Sequence, residues 1–280
     1  MIPPFVDVGW LKEHHDEVVL GDVRFYLDGS SGRAAYESGH IPGAVYVELD
    51  TVLSEPHEDD RHGRHPLPAP ERFADGLGQL GIGDHDTVIA YDDAGGVIAA
   101  RLVWLLRATG HTAALLDGGI AAWPAEDLHG AHPRPRPPAS FTPVPWPQQL
   151  FAAIDEVAAS SKVPSNGEVL IDARDRERFK GGADPVDPRS GHIPGARSVP
   201  TREHLDPSGL VASPEQLRAT FARAGIATGT PVISYCGSGV TACHNLLALE
   251  HAGLGQGRLY AGSWSEWSRD PARAVATGEH

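Results

Sequence analysis

The sequence predicts an α/β fold built twice over, each copy a parallel sheet with helices on both faces. Two signals carry the duplication and one carries the fold class. The segment SGHIPGA stands at Ser38 to Ala44 and again at Ser190 to Ala196, an offset of 152 residues. Identity over that length is improbable by chance, and the offset is far too long for a solenoid but suits a duplicated domain. Between the copies runs AHPRPRPPASFTPVPWPQQ, in which seven prolines remove backbone donors and favour extended chain. Within each half, short β-branched runs alternate with helical patterns, the order that gives a parallel sheet covered on both faces.

The landmarks recur in the same order along both halves. DTVIAYDD, with Tyr91, is matched by TPVISYCG, with Tyr235, and LLDGGIAAW ending at Trp123 is matched by LYAGSWSEW ending at Trp267. A first domain over residues 1–130, a proline-rich linker over 131–148 and a second domain over 149–280 follow from these positions. A linker so stiff is expected to run along the surface. In the second half VLIDAR (169–174) and PVISY (231–235) read as buried strands. SPEQLRATFARAG (213–225) reads as a helix with Ser213 as N-cap, Pro214 at the first position and Gln216 closing a capping box. PERFADGLGQLG occupies the matching place in the first half.

Composition sets limits on what the chain can bind. At 280 residues, 41% hydrophobic and 21% charged, it is long enough to bury a substantial core and is globular in kind. A net charge of −14 leaves no basic field for nucleic acid or anionic lipid, so neither partner is expected. An anionic substrate must be held by locally placed arginines and N–H groups, a positive island in an acidic molecule. Cys236 and Cys243 are the two cysteines, in no zinc or Cys-x-x-Cys spacing, so neither a disulfide framework nor a structural metal is expected. With no signal-like N-terminus and no spanning apolar run, a soluble cytoplasmic protein is expected.

In parallel sheets, ligands sit beyond the carboxyl ends of the strands. Directly after PVISY comes Cys236-Gly237-Ser238-Gly239-Val240-Thr241, and then ACHNLLALEHAG, of helical length and period. A thiol therefore stands at a strand-to-helix turn. The two glycines permit a loop whose N–H groups turn inward, and the helix adds the positive end of its dipole. Such a cradle stabilises a thiolate and makes the sulfur nucleophilic at neutral pH. Cys243, about two turns into the following helix, reads as a packing residue.

The paired SGHIPGA segments, the DAR and ERFKG stretch, the YCGSGVTA loop and the GSWSEW ending together resemble the two-domain sulfurtransferases of the rhodanese family over essentially the whole chain. The loop CGSGVT is similar to the 3-mercaptopyruvate branch. The thiosulfate branch has basic residues after the cysteine, where Gly237 and Ser238 stand here. The resemblance implies two tandem rhodanese-like domains, the second catalytic. It implies a Cys236 persulfide that carries sulfur from a small anionic donor, 3-mercaptopyruvate ahead of thiosulfate, to a thiol, a thiol protein or cyanide. No metal or organic cofactor is implied. A thiosulfate sulfurtransferase proper, and a non-enzymatic sulfur-relay or regulatory module, would use the same cysteine. Cysteine phosphatases of related architecture need Cys-x5-Arg, and Ala242 stands where that arginine belongs.

The resemblance also assigns neighbours. Arg178 in ERFKGG matches the arginine that holds the donor's carboxylate or sulfonate, for which a guanidinium fork is suited. The segment between Gly181 and Gly191 is shorter than in the family, leaving Arg189 as the candidate for a second arginine. With the N–H groups of Gly237, Gly239, Val240 and Thr241, these form the expected substrate-binding set. Ser238, His65 in RHPLP and Asp50 in VELD match a Ser-His-Asp relay that would protonate the leaving enolate of pyruvate. Arg174 beside Asp172 reads as a structural ion pair, and His40 and His192, present in both halves, read as structural. Asp92 stands opposite Cys236, so the first half reads as a degenerate copy, retained for packing and for one wall of the catalytic cleft.

Overall fold

The β-branched runs form the strands they predict, in a computed structural model that describes residues 2–56, 60–129, 136–162 and 167–279. Two compact units result, Met1–Pro56 with Leu67–Trp146 and Asp206–Val211, and His57–Pro66 with Pro147–Leu205 and Ala212–His280. Each unit therefore takes a short segment from the other half of the sequence. Residues 131–135 of the linker lie outside the described residues. Residues 136–146 pack on the first unit: Ala139 N–H donates to Gly78 O at 2.9 Å and Trp146 Nε1 to Pro68 O at 2.8 Å.

The first unit runs β1 (Phe5–Val6), α1 (Val8–His14), β2 (Val18–Asp22), α2 (Gly32–Ser38), β3 (Val45–Tyr46), α3 (Leu49–Val52), α4 (Pro70–Gln79), β4 (Thr87–Tyr91), α5 (Ala100–Ala108) and β5 (Ala113–Leu116). Its sheet has the order β1-β5-β4-β2-β3, parallel throughout. The second unit runs α6 (Ile154–Lys162), β6 (Val169–Asp172), α7 (Arg176–Lys180), β7 (Arg197–Ser198), α8 (Pro214–Arg223), β8 (Val232–Tyr235), α9 (Ala242–His251), β9 (Arg258–Leu259) and α10 (Ser263–Trp267). Its parallel sheet has the order β7-β6-β8-β9. Every residue of β5 and β8 is buried; because consecutive side chains point to opposite faces, both faces of each sheet are covered. α8 begins as its sequence dictates, Ser213 Oγ accepting from Gln216 N–H while Gln216 Oε1 accepts from Ser213 N–H.

The repeated segment is a brace, built the same way twice. Tyr91 and Tyr235, ending the central strands, each accept through Oη the N–H of the isoleucine in SGHIPGA, Ile41 and Ile193, at 3.1 Å. Asp22 and Asp172 hold Arg24 and Arg174 in forked pairs, whose Nη2 donates onward to Gly39 O and Gly191 O. His40 stacks on Tyr36, and His192 on Phe179. These histidines and Arg174 are structural, as their recurrence in both halves indicates. No helix among the described residues is long and apolar enough to cross a membrane.

Two further histidines sit in the core of the second unit. His204, before α8, and His244, on α9, are fully buried, with ring centroids 6.1 Å apart. Burial pushes His204 down to about 4 and His244 to about 3, against an ordinary 6.5; Arg202 and His204 add to the effect on His244. Both are folded as neutral rings, so the unfolded chain binds more protons below pH 6.5 and stability falls with acid. We expect unfolding free energy to drop between pH 6.5 and 4, by about 3 kcal/mol from His204 alone. Urea melts across that range check this. His204→Leu should flatten the slope, and an unchanged slope would place the acid sensitivity elsewhere.

Candidate active site

Cys236 leaves β8 at its carboxyl end and is 2% exposed. Gly239 N–H donates to its Sγ at 3.1 Å. Gly239 has φ +75°, and a β-carbon there would lie 2.3 Å from Ala261 O, so the turn that aims this N–H at the sulfur admits only glycine. From behind, the GSWSEW segment clamps the loop. Trp264 N–H donates to Cys236 O at 3.0 Å, Ser265 N–H to Gly237 O at 2.8 Å, and Cys236 N–H to Ser263 Oγ at 3.1 Å. Ser263 holds φ +53°, the one non-glycine residue with positive φ among those described, strain spent directly against the nucleophile. Val240 and Thr241 form the entry to α9, their carbonyls accepting the N–H groups of Cys243 and His244. Cys243 Sγ lies 3.4 Å from Gly239 O, a buried contact within the loop's support.

The first unit has a longer loop at the matching place, and its contents are instructive. At the end of β4, Asp92 is fully buried and its carboxylate accepts four backbone N–H groups: Ala94 and Gly96 at 2.7 Å on Oδ1, Ile98 at 2.7 Å and Ala99 at 2.9 Å on Oδ2. Burial pushes its carboxyl above the ordinary value, and the four amides oppose that. The turn between central strand and helix is thus an anion cradle, filled in the first half by a side chain of the chain itself.

Residues 57–66 belong to the second unit and bring two side chains to the thiol loop. His65 is buried, its Nδ1 2.7 Å from the Oγ of buried Ser238. Arg64 reaches position 237, where a β-carbon would stand 3.0 Å from its Nη2 and 3.7 and 3.8 Å from Nη2 and Nη1 of Arg178. Two guanidinium groups therefore flank Gly237. Gly237 and Ser238 carry no charge of their own; the cations beside them are Arg178, which the sequence reading named, and Arg64, which it did not. Nothing in the sequence marked Arg64, which is distant along the chain and one residue before the histidine the resemblance picked out.

Both arginines are engaged. Arg64 Nη1 donates to Asp187 Oδ1, and Arg178 Nη2 donates to Asp187 Oδ2 at 3.1 Å. Arg178 also forks onto Asp184, with Nε 3.1 Å and Nη2 3.0 Å from Oδ2. Burial pushes Asp187 above the ordinary carboxylate value, against the pull of Arg64 and Arg178. Burial also raises Asp184, but the Val186 N–H and Arg178 outweigh it and hold this carboxyl below its ordinary value.

Arg189 does not join this group. Its Nε and Nη atoms donate to four carbonyls, of Trp267, Ser268, Asp270 and Arg273, at 2.7–3.0 Å. The side chain anchors the segment after α10, and its commitment to backbone oxygens corrects the expectation that it binds substrate. Asp50 stands exposed at the start of α3 in the first unit. Among the described residues no group of three His, Cys, Asp or Glu is placed to hold a metal.

The chain belongs to the rhodanese-like domain family, whose model matches residues 7–126 and 155–270. A Pseudomonas aeruginosa protein that carries the name of a 3-mercaptopyruvate sulfurtransferase is 43% identical over 271 residues, covering 94% of this chain and 93% of its own length. A Mycobacterium tuberculosis protein that carries the name of a thiosulfate sulfurtransferase, SseB, is 39% identical over 265 residues, with 94% and 92% covered. Among solved structures, the 3-mercaptopyruvate sulfurtransferase SseA of Escherichia coli superposes with a TM-score of 0.82 at 34% identity, over 95% of this chain and all of that one.

Proposed function

We propose that this sulfurtransferase takes its sulfur from 3-mercaptopyruvate and carries it as a persulfide on Cys236. The observation that carries the reading is the buried 2.7 Å contact between His65 Nδ1 and Ser238 Oγ beside the thiol. The two donors differ in what departs: thiosulfate releases sulfite, a stable anion, whereas mercaptopyruvate releases the enolate of pyruvate, which must gain a proton at carbon. A hydroxyl backed by an imidazole is what the second donor needs and the first does not. The names of the Pseudomonas and Escherichia coli relatives, at 43% and 36% identity, support the same donor.

In the reaction the Cys236 thiolate attacks the donor's sulfur. The new S–S bond forms as the C–S bond breaks, the bonding pair passes into the enolate, and Ser238 gives up its proton to carbon and regains one from His65. Arg178 holds the donor's carboxylate. The N–H groups of Gly237, Gly239, Val240 and Thr241 carry the persulfide's charge, the task that four amides perform for Asp92 in the first half. A thiol, a thiol protein or cyanide then attacks the outer sulfur, and the Cys236 thiolate leaves.

Side-by-side assay of both donors with cyanide is expected to give a kcat/KM at least about tenfold higher for mercaptopyruvate. His65→Ala should lower that value by about 10²-fold or more and touch the thiosulfate reaction far less. A wild-type preference for thiosulfate, or an equal loss with both donors, would overturn the donor assignment.

A further inference from the structure

The arginines beside the thiol loop do not form the positive island that an acidic protein is expected to need for an anionic donor. Among the described residues, Arg64, Arg174 and Arg178 are met by Asp172, Asp184 and Asp187, three charges against three. Asp172 and Arg174 belong to the brace that recurs in the first half, with Asp22 and Arg24 as its counterpart. Asp187 is different. Its side chain is fully buried, and its two oxygens go to two different guanidinium groups, those that flank Gly237. Asp187 therefore bridges Arg64 and Arg178 from within the fold.

We propose that Asp187 is the residue that sets the charge class of the donor: together with Asp184 it balances Arg64 and Arg178, leaving a site that accepts a monoanion and disfavours a compact dianion. The reasoning rests on the sulfurtransferase reading and on Coulomb's law. The attraction between donor and site scales with the donor's charge, and the desolvation penalty rises faster still. A site of net charge zero offers a dianion little return for its lost hydration. Raising the site to net +1 favours thiosulfate about twice as strongly as mercaptopyruvate, so the ratio of the two is the quantity that moves. Adding a cation at position 237 is a poor probe, since the new side chain meets Arg64.

The test compares kcat/KM for both donors, with cyanide as acceptor, in the full-length wild type and in Asp187→Asn, Asp187→Glu and Arg64→Gln. Asp187→Asn should move the thiosulfate-to-mercaptopyruvate ratio up by about tenfold or more, the factor that 1.4 kcal/mol of extra attraction supplies. Asp187→Glu, which keeps the charge, should hold the wild-type ratio. Arg64→Gln lowers the site's charge and should move the ratio down by a similar factor; it decides the matter alone if Asp187→Asn fails to fold. Loss of packing would lower both donors together, so a ratio unchanged in Asp187→Asn and in Arg64→Gln overturns the proposal. The shift is read against wild type, so it stands apart from which donor wild type prefers; failure of that preference would sink the donor assignment and leave this comparison intact.

Discussion

Cys236→Ser is expected to abolish sulfur transfer from either donor, on the order of 10⁴-fold or more, while leaving the fold in place. The Sγ is buried and already receives the Gly239 N–H at 3.1 Å, and a serine oxygen fits the same space and accepts the same bond. Thermal stability should therefore move by only a few degrees. What oxygen cannot do is form the S–S bond, so incubation with donor should add the mass of one sulfur atom to wild type and nothing to the variant. The companion Cys243→Ala should keep most of the activity. If Cys236→Ser turned over normally, the sulfur would be carried elsewhere, and Cys243 is the remaining thiol.

The second large effect is expected on removing residues 1–148. Such a chain retains the whole Cys236 loop, yet it lacks Arg64 and His65, which lie in a segment of the second unit drawn from the first half of the sequence. Ser238 loses its 2.7 Å partner, Asp187 loses one of its two guanidiniums, and Ser265 Oγ loses the N–H of Arg64. Buried Asp187 is then partly uncompensated, an arrangement that destabilises strongly. The fragment should fold poorly, or fold and lose mercaptopyruvate-supported turnover by about 10²-fold or more. Circular dichroism and the cyanide assay together read both outcomes, and a fully active fragment would remove Arg64 and His65 from the mechanism.

Much of this was legible in the chain itself, and what was not has a common physical cause. The strands, the α8 capping box and the duplicated braces follow from local patterns: β-branched runs, a Ser-Pro-x-Gln start, and SGHIPGA meeting a tyrosine at each strand end. Cys236 was singled out because a Cys-Gly-x-Gly turn after a buried strand has few other uses. Arg189 was misassigned and Arg64 missed for the same reason. An arginine's destination depends on which carbonyls or carboxylates the tertiary fold sets within its reach, and neither the four carbonyls at and beyond the end of α10 nor Asp187 beside the loop has a signature of its own. The GSWSEW segment was visible as a landmark, but its work as the clamp behind Cys236, through Ser263 at φ +53°, required the backbone.

The cradle around Asp92 would hold a thiol poorly. Four amides now converge on two carboxylate oxygens, and the loop that supplies them is two residues longer than its counterpart between β8 and α9. Restoring cysteine there would return one soft, weak acceptor to a cradle shaped around two hard ones, stranding buried donors at a cost of about 1–3 kcal/mol each. Shortening the loop by two residues would have to accompany the exchange to recreate the geometry around Cys236. The two loops are thus not interchangeable. Each loop is entrenched by the anion it holds, one permanent and one replaced at every turnover.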